Sequence, residues 1–183
     1  MSEVWNIFAE ELIDISKNNG LIIHSFILMS NHFHLIASTP NANISWCMQR
    51  FMHKSSRRLT RAGNRINETF AGRHYKCILQ HPNYYLNAYK YNYRNPVTAG
   101  ICEYVETYPY STLQGLIGVH QLLMPDCNDT TFEFDPNGTV EWLNRKPEQK
   151  KLEAVRFALK RQFFRSRKDP IYNRPVISEN DIL

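Results

Sequence analysis

The sequence contains no Cys-x-x-Cys pair. Its four cysteines, Cys47, Cys77, Cys102 and Cys127, stand far apart, which excludes a zinc knuckle and a thioredoxin-type redox motif. They fit reduced thiols in a cytosolic protein. An uninterrupted apolar run long enough to cross a membrane is also missing. The longest candidate, Leu21 to Ala37, is broken by His24, Asn31, His32 and His34. Glu3, Glu10 and Glu11 interrupt the start, so no secretory signal is legible and the expected location is the cytoplasm. There is no internal repeat and no low-complexity tract. Carboxylates are in deficit, with 17 Asp and Glu against 22 Lys and Arg. That imbalance suits an anionic partner such as nucleic acid.

What the chain does have is material for a core. Hydrophobic residues make up 43 % and aromatics 13 % of its 183 residues, which fits one domain with a tail. Val4 to Lys17 reads as an amphipathic helix, and "NNG" at Asn18 to Gly20 stops it. Leu21 to Ser30 and His32 to Ser38 read as two strands of an antiparallel hairpin, ended by Pro40. Ile44 to Arg61 is a second helix and Asn83 to Asn95 a third, which "NPVTAG" is expected to break. Between these helices, Glu68 to Leu79 suits a turn and a short strand. Residues 124–139 look loop-like, Glu148 to Phe164 reads as a last helix, and the tail beyond Arg165 reads as extended.

Within the hairpin, "NHFHLI" (residues 31–36) places two ionisable rings in an apolar run. On a strand, residues i and i+2 share a face, so His32 and His34 project together and Phe33 points the other way. Most such pairs are simply hydrogen-bonded histidines in a half-buried strand. The chemical alternative is a metal site, since neutral imidazole is a common ligand of divalent ions. A closed zinc site needs four nitrogen or sulfur ligands. An open site sharing its ion with water and substrate oxygen suits a two-histidine start better.

The third helix carries Tyr84, Tyr85, Tyr89, Tyr91 and Tyr93 within ten residues. Packing accounts for most of them. Tyr91 and Asn95 differ in being four apart, hence one turn apart on one face. A carboxamide oxygen there suits a metal, and a phenol beside it suits attack. A phenol has a pKa near 10 and needs a nearby cation or base to act as a nucleophile. A metal held by His32, His34 and Asn95 would supply that cation and polarise a phosphoryl oxygen. The pieces suggest tyrosine attack on a phosphodiester.

Four segments, "FILMSNHFHLIAST", "FAGRHYKCIL", "YNYRNPVTAG" and "YPYSTLQ", occur in the order and with the spacing of the IS200-like (Y1, HUH) tyrosine transposases. The resemblance covers about residues 4–118 and is strongest to the REP-associated tyrosine transposase branch. It implies a catalytic domain over residues 1–120 and a C-terminal extension over 121–183 with a basic helix. The implied fold is a ferredoxin-like α+β sandwich whose antiparallel sheet carries the HUH strand. The implied metal ligands are His32, His34 and Asn95, the ion Mg²⁺ or Mn²⁺, and the nucleophile Tyr91, with Tyr93 as fallback. Tyr93 lies roughly 200° around the helix from Tyr91, so only one of the two easily faces the metal. The implied activity is cleavage and rejoining of single-stranded DNA through a 5′-phosphotyrosine bond.

One departure stands out. Members of that family place a further strand ahead of the first helix, and this chain starts almost directly at the helix. A missing strand would leave unpaired backbone groups along a sheet edge. A truncated copy, a misplaced initiation codon or a partner that fills the gap each explains it.

Basic residues add a DNA surface to these expectations. Lys54, Arg57, Arg58 and Arg61 share helical spacing as one stripe, and Arg73, His74, Lys76 and Arg94 add charge around the tyrosine helix. Lys160, Arg161, Arg165, Arg167 and Lys168 form a second cluster. Such stripes bind phosphates in a salt-dependent way, and neighbouring aromatics stack unpaired bases. The expected partner is single-stranded or hairpin DNA. A homodimer is one arrangement the resemblance allows. The rival readings are a decayed relative that grips DNA without cutting it, and a metal-dependent phosphohydrolase of small molecules.

Overall fold

The computed structural model describes residues 1–63, 75–119 and 128–183. The part of the expected turn and strand over 68–74, with Arg73 and His74, lies outside the described residues, as do Cys127 and the part of the expected loop over 124–127. The architecture is α+β. The chain's contacts group it into two compact units, residues 1–74 with 106–139 and residues 75–105 with 140–183.

In the first unit, helix α1 (Ser2–Asn19) is stopped by Gly20, whose φ of 70° is a left-handed conformation that suits glycine. Its N–H donates to the Ser16 carbonyl at 3.1 Å, closing the helix end. Strands β1 (Ile22–Leu28) and β2 (Phe33–Ser38) pair antiparallel, with Ile27 opposite His34 and Leu28 opposite Phe33. Among the described residues they form a two-stranded sheet. Helix α2 (Ile44–Ala62) follows.

The apolar stripe of α1 (Phe8, Leu12, Ile15) and that of α2 (Cys47, Met48, Phe51) close over one face of the hairpin. Phe8, Phe26, Phe33 and Phe51 knit this core. The Phe8 ring lies 5.2 Å from Phe51 and 5.8 Å from Phe33, and Phe33 lies 5.5 Å from Phe51. Each pair is edge-on, the arrangement that ring quadrupoles favour. Carboxylates of α1 also reach the basic residues of α2. Lys54 Nζ is 2.6 Å from Asp14 and 3.8 Å from the buried Glu11, and Arg58 bonds Glu10 at 2.5 Å and Glu11 at 3.0 Å.

The outer edge of β1 is partly covered. Leu28 N–H donates to the Tyr110 carbonyl at 2.9 Å and the Tyr108 hydroxyl donates to the Leu28 carbonyl at 2.6 Å. Phe26 N–H donates to Thr112 Oγ1 at 3.1 Å, and Asn128 N–H donates to the Ile23 carbonyl at 2.7 Å. The segment "YPYST" thus satisfies backbone groups that a free edge would leave open.

In the second unit, helix α3 (Pro82–Thr98) packs against α7 (Gln149–Ala158). Helix α3 runs three residues past the expected end at Asn95 and closes within "NPVTAG", at Thr98. A proline in the last turn removes only one helical donor, and the chain turns at Gly100, with φ 70°. Helix α7 is shorter than expected, ending at Ala158 instead of Phe164. Ile78 N–H donates to the Gln162 carbonyl at 2.8 Å and Phe164 N–H donates to the Ile78 carbonyl at 3.1 Å, and these bonds hold residues 162–164 extended. Phe164 is buried and stacks on Tyr84 at 4.5 Å.

The stretch expected to be loop-like contains two helices, α5 (Thr130–Phe134) and α6 (Pro136–Asn144). Asp129 Oδ1 accepts from Phe132 N–H and Asp135 Oδ1 from Gly138 N–H, both at 3.0 Å. Aspartates as caps and Pro136 in the first turn are helix starts, although "DPNG" by composition reads as a turn. A short 3₁₀ turn (Val105–Thr107) and helix α4 (Thr112–Leu116) complete the elements named.

Candidate metal and tyrosine site

Phe33 explains the histidines. Its ring is drawn into the Phe8–Phe51 core, so strand alternation turns His34 to the opposite face. His32 sits just ahead of β2, in the turn where Met29 N–H donates to its carbonyl at 2.8 Å. The two rings still meet, with Nε2 of His32 3.1 Å from Nε2 of His34 and the planes almost perpendicular at 87°.

Asn31 orients the pair. Its Oδ1 accepts from Nδ1–H of His32 at 2.6 Å, which fixes the tautomer and leaves Nε2 of His32 as an acceptor. Nε2 of His34 faces it at 3.1 Å. Burial lowers the pKa of His32, and burial followed by the neighbouring His32 lowers that of His34 to about 4. Both rings are therefore neutral at neutral pH, the form that binds metal. Two nitrogens each about 2.1 Å from one ion, at about 90°, stand about 3 Å apart. The observed separation fits a shared divalent ion. Among the described residues no group of three or more His, Cys, Asp or Glu side chains suits a metal. Sequence reasoning missed Asn31, although its place next to His32 was visible.

In the second unit, Tyr91 and Asn95 lie one turn apart on α3, each half-buried. Tyr91 packs against the cluster of Ala154, Val155, Ala158, Phe164 and Ile177. Tyr93 is 1 % exposed and sits edge-on to Tyr89 at 4.8 Å, deep in the core. This burial separates the two candidate phenols.

The basic residues divide. Arg57 and Arg61 are exposed on α2, and Lys76 is exposed ahead of α3. Lys54 and Arg58, expected on the same DNA-facing stripe, turn to the carboxylates of α1 instead. Arg94, also expected at DNA, is buried. Its Nη1 donates to the carbonyls of Leu143 at 2.9 Å and Asn144 at 2.8 Å, capping the C-terminal end of α6, where partial negative charge favours a cation. In the second basic cluster, Arg167 pairs with Glu153 at 3.1 Å and Arg161 lies over Phe157 at 4.6 Å.

Lys90 was not foreseen. It is buried on α3, with Nζ over the Trp142 ring at 5.1 Å and donating to the Leu183 carbonyl at 3.1 Å. Desolvation, then Arg94 and Arg145, hold its pKa down to about 8.

No helix among the described residues is long and apolar enough to cross a membrane. A family model described as "Transposase IS200 like" matches residues 2–106, more than half of the chain. No curated protein matches, and no solved structure does.

Proposed function

The chain belongs to the family of IS200-like transposases, and from that premise we propose that it cleaves and rejoins single-stranded DNA with Tyr91 as nucleophile. The observation that carries the reading is the pair of neutral imidazoles with Nε2 atoms 3.1 Å apart.

His32 and His34, with Asn95 as third ligand, would hold Mg²⁺ or Mn²⁺. When bound, that ion polarises a non-bridging phosphoryl oxygen and offsets the charge that develops on it. Tyr91 Oη attacks the phosphorus, and the proton it gives up to solvent is balanced by the one the departing O3′ takes from solvent. The P–O3′ bond breaks, a 3′-hydroxyl leaves, and the 5′-phosphate stays on the tyrosine. Attack by a 3′-hydroxyl on that phosphotyrosine restores a phosphodiester and frees the phenol. Bond energy is conserved at each exchange, so no nucleotide cofactor is consumed. The order of the four sequence segments supports the REP-associated branch, and with it a hairpin or single-stranded substrate. The C-terminal residues 121–183 act in this reading as an extension to the catalytic part.

The test is an oligonucleotide labelled at its 3′ end, incubated with Mn²⁺. A covalent protein–DNA band is expected from the wild type and from Tyr93→Leu, and none from Tyr91→Phe or His34→Ala. An adduct that persists in Tyr91→Phe sinks the assignment. Tight binding with no adduct in the wild type points to a relative that grips DNA without cutting.

A further inference from the structure

Helix α2 contains no aspartate or glutamate, yet its basic residues do two different things. Among the described residues, its ion pairs are made by Lys54 and Arg58, which face α1. A second row, Trp46, Arg50, His53, Arg57 and Arg61, is exposed throughout. At 100° per residue these five positions fall within an arc of about 80°, and at 1.5 Å per residue they span about 22 Å. They form one straight ridge.

Trp46 is the unexpected member. It is 46 % exposed, although indoles are mostly buried in folded proteins. The guanidinium of Arg50 stands 5.4 Å from its ring centroid, within cation–π range. The ridge thus combines a flat aromatic surface, already used for stacking, with guanidinium groups that make no ion pair among the described residues, Arg50 acting on Asp14 only at a distance.

We propose that this ridge is a docking surface for single-stranded DNA, with phosphates on Arg50, Arg57 and Arg61 and one unpaired base stacked on Trp46. The proposal rests on the strand-handling function above but does not depend on cleavage. Charge complementarity selects a polyanion, and the exposed indole selects one with free bases. A stack on Trp46 has no counterpart in a duplex, whose bases are already paired and stacked.

Fluorescence anisotropy with a labelled 25-nucleotide mixed-sequence strand, with and without its complement, tests this on the full chain without metal. Arg57→Gln with Arg61→Gln should weaken single-strand binding about tenfold or more. It should also flatten the slope of log affinity against log salt by about 1.4, at about 0.7 per lost phosphate contact. Trp46→Ala should erase the preference for single strand over duplex, and DNA-induced quenching of tryptophan emission should vanish in Trp46→Phe. Circular dichroism checks that each variant folds.

Unchanged affinity and salt slope in the double variant overturn the proposal, even where the wild type forms the Tyr91 adduct. So does a wild-type dimer that the variants split with DNA affinity intact, which would assign the ridge to a second copy. If the wild type forms no adduct but the variants lose binding as described, the ridge stands and the strand-transfer reading falls.

Discussion

Asn31 acts through His32. By accepting from Nδ1–H it keeps Nε2 of that ring free of its proton and aimed at Nε2 of His34. Loss of such an orienting partner commonly lowers metal affinity by about 10–100-fold. Asn31→Ala should therefore weaken Mn²⁺ binding by about tenfold or more, measured by electron paramagnetic resonance of the free ion. The same measurement across pH tests the burial of His34. In the proposed site a proton would compete with the metal for the neutral ring, and burial holds the His34 pKa to about 4 instead of the ordinary 6.5. Binding by that ring should persist well below pH 6.5 and fade only as pH 4 is approached. Lys90 behaves oppositely in alkali. Its folded pKa of about 8 lies below the ordinary 10.5. Between those values the unfolded chain holds the extra proton, so stability rises with pH across the window. Urea midpoints at pH 7.5 and pH 10 should show this rise. Lys90→Met should lose this component of it.

At the scale of elements, end groups decide more than composition. Helix α6 begins where Asp135 Oδ1 receives Gly138 N–H at 3.0 Å. Asp135→Ala should cost about 1 kcal/mol in urea denaturation, and Asp135→Asn should largely restore it. The hairpin shows a different control. Phe33 is anchored among Phe8, Phe26 and Phe51, and a one-residue slip of β2 would send both histidines inward. The core thus sets the direction in which the site faces. In α3 the same logic assigns roles by angle. Tyr89 and Tyr93 fill the core, Asn87 and Lys90 hold the tail near Leu183, and Tyr91 with Asn95 occupies another sector.

At the scale of the whole molecule, acid should act on the second unit through two aspartates. Asp169 is held to about 2, first by Lys150 and then by the N–H groups of Tyr172 and Ile171. Asp181 is held to about 2, first by Ser178 and then by Lys151. A depressed carboxyl pKa contributes stability above the ordinary value of 3.8 that is lost as the pH falls through the folded one. Trp142 lies in this unit, and its Nε1–H donates to the Leu183 carbonyl at 2.7 Å. Its fluorescence should report a loss of structure as the pH falls from about 4 to about 2, with Asp181→Asn weakening the unit already at pH 5. Unchanged emission and stability in that variant would remove these carboxylates as tethers of the tail.

Local pattern was enough for much of this protein. The alternation around Phe33, the four-residue step from Tyr91 to Asn95, and the helices α1, α2 and α3 were all legible, because each depends on spacing within one element. Helix α6 was not, since "DPNG" serves equally as a turn and as a capped start, and only the Asp135–Gly138 bond distinguishes them. The basic stripe of α2 was legible as charge but not as function. Lys54 and Arg58 meet carboxylates some 40 residues earlier in the chain, and Arg94 meets carbonyls some 50 residues later. Spacing along one helix says which side chains share a face. What lies opposite that face is set by packing, and that is what left Arg57 and Arg61 facing water while burying Arg94.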